Sequence, residues 1–408
     1  MRVLIADKFE QAGIAELEGV GCVVTSNPDL SADDLAGAVG ERNPEVLVVR
    51  STKVHGPVFE HGAALQLVVR AGAGYDNIDV GAASARGVAV ANCPGKNAIA
   101  VAELAWGLII SADRRIADQT ADLRAGVWNK KLYGKSHGLF GRTLGVIGVG
   151  NIGREVIHRA HAFGMPVQAW CRSLDEAGAE ALGVRRCESP IEAARGAHVV
   201  SVHVAATPDT EKLISTDLLA AMSDGAILVN TARGKVVDEQ ALEAEVTAGR
   251  LRAALDVYRD QPTPSDSTSD IGLAKAADPS ANHVFVGTHH CGASTDQSQH
   301  AIAMEAVRIV RELKSTGSAP NVVNMAERGT ATRLLVVRHH NQPGVLAHII
   351  GAIGAAGVNI ERMRNVIFDG GAAACATIRL DTEPASSVIE AINDASKHVI
   401  SVSMGVVE

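Results

Sequence analysis

The sequence predicts an α/β protein: two doubly wound parallel sheets, followed by a smaller βαββαβ unit at the C-terminus. Three observations carry this prediction. Short apolar runs alternate with helical patterns in two successive series, a glycine triplet sits between one such run and a helix pattern, and the rhythm changes after about residue 332. Strands that alternate with helices imply parallel pairing, because a parallel neighbour is reached only by a crossover.

The chain opens on Met1-Arg2-Val3-Leu4-Ile5-Ala6-Asp7, a first strand with no signal peptide before it. Residues 46–49 and 67–69 are strand-like, and residues 31–39 and 57–64 are helix-like. A long Ala- and Leu-rich helix pattern runs from Asn97 to about 112. The second series of strands falls at 143–147, 167–170, 199–202, 227–229, 253–255 and 284–286. These runs are short and Val-rich, as strands covered on both faces should be. Residues 260–282, rich in Pro, Ser, Asp and Ala, read as a surface loop, and 314–332 as a hinge or linker. The last unit reads strand 334–337, helix 345–355, strands 358–363 and 373–380, helix 385–395 and strand 399–406, a ferredoxin-like order.

At 408 residues the chain exceeds one compact core, so two or three domains are expected. Aromatics make up only 3%, so aliphatic side chains and alanine must fill the interior. A net charge of −8 argues against nucleic acid or an anionic membrane as partner, and an anionic substrate must then meet local positive charge. The six cysteines lack CxxC spacing, which fits reduced cytoplasmic thiols and neither a disulfide framework nor a metal site. The apolar stretch 104–110 is too short to span a bilayer.

Gly148-Val149-Gly150-Asn151-Ile152-Gly153 is a G-x-G-x-x-G between the strand at 144–147 and a helix pattern at 154–163. Gly148 permits the tight turn, Gly150 lets a pyrophosphate approach the backbone, and Gly153 lets helix pack on strand. The helix N-terminus, beginning at Asn151 and Ile152, offers N–H groups to the phosphates. This is the pattern of a Rossmann dinucleotide site. The next strand should end in an acid that holds the adenosine ribose. The chain instead reads Cys171-Arg172-Ser173. Without the carboxylate a 2′-phosphate is not repelled, and Arg172 can pair with one. The expected cofactor is therefore NAD or NADP; Arg172 stacked on adenine or facing solvent, with NAD bound, stays open as the other reading.

Three segments lie just past strand ends, where such sheets bind ligands: Asn230-Thr231-Ala232-Arg233-Gly234, Asp256-Val257-Tyr258-Arg259-Asp260-Gln261-Pro262, and His289-His290-Cys291-Gly292-Ala293-Ser294-Thr295. Hydride transfer at a carbinol carbon needs a cation for the substrate carboxylate, a base for the hydroxyl proton, and a group that orients that base.

The glycine triplet, N-x-A-R-G, D-V-Y and H-x-G-A-S-T, in this order over residues 1 to about 325, resemble the D-isomer-specific 2-hydroxyacid dehydrogenases. With the C-terminal unit, the resemblance extends to the phosphoglycerate-oxidising, regulated branch of that family. It implies that Arg233 binds the carboxylate, that His290 is the acid/base, that Asp256 meets the nicotinamide carboxamide, and that Thr231, Ala232 and Gly292 line the cofactor. The family has Glu where this chain has Gln261, which orients the His without charge. A less basic His290, a substitute role for Asp260, and lost catalysis are the three readings. His289 reads as structural or solvent-facing and Cys291 as a satisfied buried thiol near the cofactor.

The resemblance also places the substrate carboxylate on Gly72, Ala73 and Gly74, and its phosphate near Arg50 and Ser51. Asn97 stands near the substrate, or caps its helix. Trp128 and Lys130 would reach a neighbouring subunit's site, so a homodimer or homotetramer is implied; a solvated Lys130 is the alternative. In the last unit, His339-His340-Asn341-Gln342-Pro343-Gly344 and Gly357-Val358-Asn359-Ile360 resemble an ACT domain, which puts an effector, L-serine, on His339, Asn341 and Asn359. A dimerisation module without ligand is the other reading. The expected organisation is a substrate domain of 1–96 and 291–325, a dinucleotide domain of 97–290 and an ACT domain of 331–408. The expected activity is oxidation of 3-phosphoglycerate for serine synthesis. The alternatives are an NADP-linked glyoxylate or hydroxypyruvate reductase and a non-catalytic dinucleotide sensor.

Overall fold

The computed structural model describes residues 1–262, 271–278, 283–326, 329, 331–394 and 397–407. They form two compact units, Met1–Asn324 and Met325–Glu408.

The first unit contains two sheets. One is built from β1 (Arg2–Ile5), β2 (Val23–Ser26), β3 (Val46–Val49), β4 (Leu67–Arg70) and β5 (Ala89–Asn92), all parallel, in the order β2-β1-β3-β4-β5. All four residues of β3 are buried, which explains its unbroken apolar run. One face is covered by the helix Asp296–Thr316, which returns from far along the chain and inserts Ile302, Val307 and Val310 beside Ile5 and Val69. Its N-cap is Thr295, whose hydroxyl accepts from Ser298 N. The segment read from sequence as a linker differs in its first half. Residues up to Thr316 are helical, and Val323 N donates to Val90 O at 2.8 Å while Asn324 Oδ1 accepts from Val90 N at 2.8 Å. The edge of β5 presents unpaired backbone groups, and this stretch satisfies them. Residues 327, 328 and 330 of that linker lie outside the described residues.

The second sheet comprises β6 (Leu144–Ile147), β7 (Val167–Trp170), β8 (Arg185–Arg186), β9 (Val199–Val202), β10 (Ile227–Asn230), β11 (Arg252–Leu255) and β12 (Phe285–Gly287). Its order is β12-β11-β10-β9-β6-β7-β8, again all parallel. Strand order reverses between β6 and β9, and a crevice for a ligand opens there. The helix Ala98–Arg114 buries Ala102, Ala105, Trp106 and Ile109 against this sheet. Small residues let it lie close, and Trp106 stacks on Phe163 at 4.4 Å. In the stretch read as a loop from 260 to 282, Gly272–Ala276 is helical and buries Leu273; residues 263–270 and 279–282 lie outside the described residues. The six cysteines form no disulfide. Among the described residues no helix is long and apolar enough to cross a membrane.

The second unit runs β13 (Arg333–His340), helix Val345–Ala355, β14 (Ile360–Ile367), β15 (Ala373–Leu380), helix Ser386–Asp394 and β16 (Val399–Val406). The sheet is antiparallel in the order β14-β15-β13-β16. Leu335, Val337, Ile378 and Leu380 alternate along the inner face of β13 and β15 and pack under Ile349, Ile353 and Ile392.

Candidate active site

The glycine triplet lies on the turn from β6 into the helix Asn151–Ala162. Gly148 has φ 99°, and a Cβ there would come within 2.6 Å of His203 O. A Cβ on Gly153 would lie 2.1 Å from Gly148 O, so the helix reaches the end of the strand only because residue 153 is glycine. Above Gly150 there is open space, which suits a pyrophosphate against the backbone. The residues present therefore fit a dinucleotide. Beyond β7, Arg172 is exposed and sits 3.6 Å from Asp209. Burial raises the Cys171 thiol pKa, but hydrogen bonds from the Val149 and Ser173 backbone outweigh it, and the net shift is downward.

Arg233 follows β10, in the loop that opens the 3-10 turn Gly234–Val236. Gly234 is obligatory: a Cβ would lie 2.0 Å from the Tyr258 backbone. The loop is stapled by Asn230, whose Nδ2 donates to Arg233 O and whose Oδ1 accepts from Ala232 N. The Arg233 guanidinium reaches the glycine loop after β4, where Nη2 donates to Asp76 Oδ1 at 2.9 Å and lies where a Gly74 Cβ would stand.

His290 follows β12 in the left-handed region, φ 52°, and its backbone N donates to Asp256 O at 2.8 Å. The turn is held from within by the Asp256 carboxylate, which is 1% exposed. That carboxylate accepts from Thr288 Oγ1 at 2.6 Å, Cys291 N at 2.9 Å and Gly292 N at 3.0 Å. Asp256 thus builds the histidine turn, a role the sequence did not suggest. The His290 ring donates through Nδ1 to Gln261 Oε1 at 2.9 Å, which leaves Nε2 as the acceptor of the neutral ring. Asp260 stands near enough to Glu239 to raise its pKa. Burial depresses the His290 pKa and Arg233 depresses it further, while Asp256 and Asp76 oppose both.

The structure adds two residues that sequence reasoning missed. Arg70, the last residue of β4, tucks its guanidinium under Gly72, where a Cβ would lie 1.5 Å from Nη1. Its pKa is pushed down to about 10 by burial and then by Arg233, and its Nε is buried without a protein partner. A charged residue ending an otherwise apolar strand was the available signal. Asp7, at the end of β1, accepts from the backbone N of Arg50, Ser51 and Thr52 and from Ser51 Oγ. It shapes the loop that presents Arg50, and Ser51 is spent on that contact. Beside Arg50 a cavity of about 240 Å³ is lined by Lys8, Phe9, Glu10 and Gln299, with one acid among its cations.

Asn97 begins the helix Ala98–Arg114 but makes no side-chain cap, so the capping alternative fails. Trp128 is 79% exposed, and Lys130 is exposed at the start of the helix Lys130–Tyr133. The three effector positions are not brought together. His339 is 2% exposed, with ring contacts to His340 O and Asn365 Oδ1. Asn341 donates to Gly371 O beyond one end of β15, and Asn359 N donates to Asp381 Oδ1 beyond the other. Asn341 stands opposite Ala372 and Asn359 opposite Asp381, so at a strand rise of about 3.3 Å per residue the two asparagines stand roughly 30 Å apart.

The fold and this site define a dinucleotide-binding protein with a cationic cleft and a histidine set by an amide. Residues 106–278 match the model of the D-isomer specific 2-hydroxyacid dehydrogenase NAD-binding domain. A hydroxypyruvate reductase of Thermotoga maritima is 40% identical over 322 residues, 76% of this chain and 98% of that one. A D-3-phosphoglycerate dehydrogenase of Methanocaldococcus jannaschii is 38% identical over 327 residues, 80% of this chain and 60% of that protein. The chain thus spans less than two thirds of that relative. The crystal structure of an NADPH-dependent glyoxylate/hydroxypyruvate reductase from Sinorhizobium meliloti, with NADP and malonate, superposes with a TM-score of 0.67 at 25% identity, covering 80% of this chain and 99% of that one. The chain belongs to the D-isomer-specific 2-hydroxyacid dehydrogenase family, and its cofactor is NAD(P).

Proposed function

We propose that this chain interconverts a D-2-hydroxy acid and its 2-keto acid, with 3-phosphoglycerate and 3-phosphohydroxypyruvate as the pair. One observation carries the reading: Arg233 and Arg70 both stand close enough to His290 to depress its pKa, Arg50 acts in turn on Arg70, and Asp76 pairs with Arg233 at 2.9 Å. That cationic surplus suits a substrate with two anionic ends. Arg233 would hold the carboxylate and Arg50 the phosphate, with the cavity toward Lys8 giving the distal group room. Oxidised nicotinamide supplies a hydride acceptor when bound. His290 Nε2 takes the hydroxyl proton in oxidation and returns it in reduction, while Gln261 keeps the ring in the tautomer that does this. Residues 1–96 with 291–325 would form the substrate side and 97–290 the dinucleotide side.

A second reading is an NADP-linked hydroxypyruvate or glyoxylate reductase. It is supported by Arg172 in place of the ribose acid and by the full-length likeness to the Thermotoga reductase. Turnover of 3-phosphoglycerate, glycerate and glycolate with each cofactor separates the readings. A preference for glycerate or glycolate over the phosphorylated acid would favour the second, and dinucleotide binding without turnover of any of the three would leave a sensor.

For the second unit, residues 331–408, we propose an ACT domain that binds L-serine. The βαββαβ order and the His339–Asn341 turn support it. Because Asn359 lies at the far end of the sheet, the effector site needs a second copy. Exposed Leu123, Val127, Trp128 and Phe140 around the helix Lys130–Tyr133 support a homodimer in which Trp128 and Lys130 serve the neighbouring cleft. Calorimetry with L-serine tests the effector reading; no heat and no shift in melting would end it.

A further inference from the structure

We propose that Asp76 is a positioning residue for Arg233: it clasps one edge of the guanidinium from the opposite sheet and leaves the other edge for the substrate carboxylate. The proposal rests on the reading of Arg233 as carboxylate ligand. A guanidinium offers five N–H donors in a planar fork. Asp76 takes the side edge. Nε donates to Oδ1 at 3.3 Å and Oδ2 at 3.4 Å, and Nη2 donates to Oδ1 at 2.9 Å. On the far side Nη1 donates to Ala232 O at 2.8 Å. The end-on pair shared by Nη1 and Nη2 remains, and that pair meets a carboxylate in two-pronged fashion.

The clasp is a product of both sheets. Asp76 hangs from the loop after β4 and Arg233 from the loop after β10, 157 positions away. Gly74 sets the depth, since a Cβ there would lie 1.9 Å from Nη2. An arginine tethered only through Ala232 O would keep most of its rotamer freedom, and binding would then have to order it.

Asp76 also bears on His290. The charged groups facing that ring are Arg233 after β10, Asp256 at the end of β11, and Asp76 and Arg70 from the first sheet. Gln261, on Nδ1, carries no charge. Asp256 is engaged by three donors of its own turn. Asp76, paired with Arg233 and acting on the ring against it, therefore supplies part of the support for the imidazolium that the family places at position 261.

The test is a double-mutant cycle on the full chain with 3-phosphohydroxypyruvate and hydroxypyruvate as substrates. Asp76→Asn should raise KM for both keto acids about tenfold, more than it changes kcat. It should also move the His290 limb of the kcat/KM profile to lower pH, which a merely structural role would not do. Asp76→Glu should recover part of both effects. In an Arg233→Lys background, Asp76→Asn should lose most of its effect on KM. An unchanged KM and an unchanged limb in Asp76→Asn overturn the proposal. If Arg233→Lys by itself leaves KM unaltered, the carboxylate reading of Arg233 fails instead.

Discussion

Replacing Gln261 by Glu puts a full charge where the chain now has an amide oxygen, 2.9 Å from His290 Nδ1. With charge centres about 4 Å apart and an effective dielectric of about 20, the attraction is about 4 kcal/mol. The ring is exposed, so solvent screening leaves roughly a third to two thirds of that, which corresponds to a rise of about 1–2 pKa units. The sign follows from the states involved. A carboxylate stabilises the imidazolium and opposes the downward pull of burial and Arg233. Oxidation needs neutral His290, so its kcat/KM should fall off at a pH about 1–2 units higher in Gln261→Glu than in the wild type. Reduction needs the imidazolium and should persist to a correspondingly higher pH. The assay is kcat/KM against pH in both directions, at saturating cofactor. Superimposable profiles for the two proteins would refute the argument that position 261 sets the basicity of this histidine.

Other outcomes follow from the same geometry. Gly74→Ala should abolish most turnover with little loss of melting temperature, because the clashing atom is the mobile end of Arg233 and not backbone; a Tm drop matching the activity loss would contradict this. Arg172→Ala should lower kcat/KM with NADPH by about tenfold and leave NADH almost unchanged, the loss of one exposed charge-assisted contact; equal effects on both cofactors would remove Arg172 from the 2′-position. Glu305 is 7% exposed, accepts from Arg308 and Asn321, and lies 3.4 Å from Lys96; its pKa is held down to about 2, chiefly by Arg308. Glu305→Gln should therefore cost about 2 kcal/mol above pH 5, and the difference from wild type should shrink as pH falls toward 2, measured by thermal melting. A gap that stays constant across that range would show that the carboxylate charge is not what matters there.

The sequence by itself determined what local chemistry can encode. Apolar runs bounded by turn residues located most strands of both sheets within a residue or two, because a strand covered on both faces has no polar positions to blur it. The strand limits 373–380 and 399–406 and the helix 345–355 coincide with the observed elements. The glycine triplet announced its turn because only glycine tolerates the approach of His203 O and Gly148 O. Edges and returns were less legible. The first strand pair of the first sheet includes the edge strand β2, whose apolar signal is only the pair Val23-Val24 before Thr25 and Ser26, and the Asn324 contact to Val90 joins positions 234 apart.

Tertiary structure alone decided how those local pieces meet. No spacing in the chain relates Asp76 to Arg233, or Asp256 to the backbone of Gly292; the first distance exists only once two sheets stand together, the second only once β11 and β12 pair. Arg70 reads in sequence as the polar end of a strand, and only the glycine loop folded over it shows a half-buried cation whose Nε is enclosed. Asn359 matched its motif as well as His339 did, yet antiparallel register carries it to the far end of β15. Residue identity is written along one dimension, whereas charge, desolvation and reach depend on neighbours in three, and those neighbours are set by the crossovers between strands.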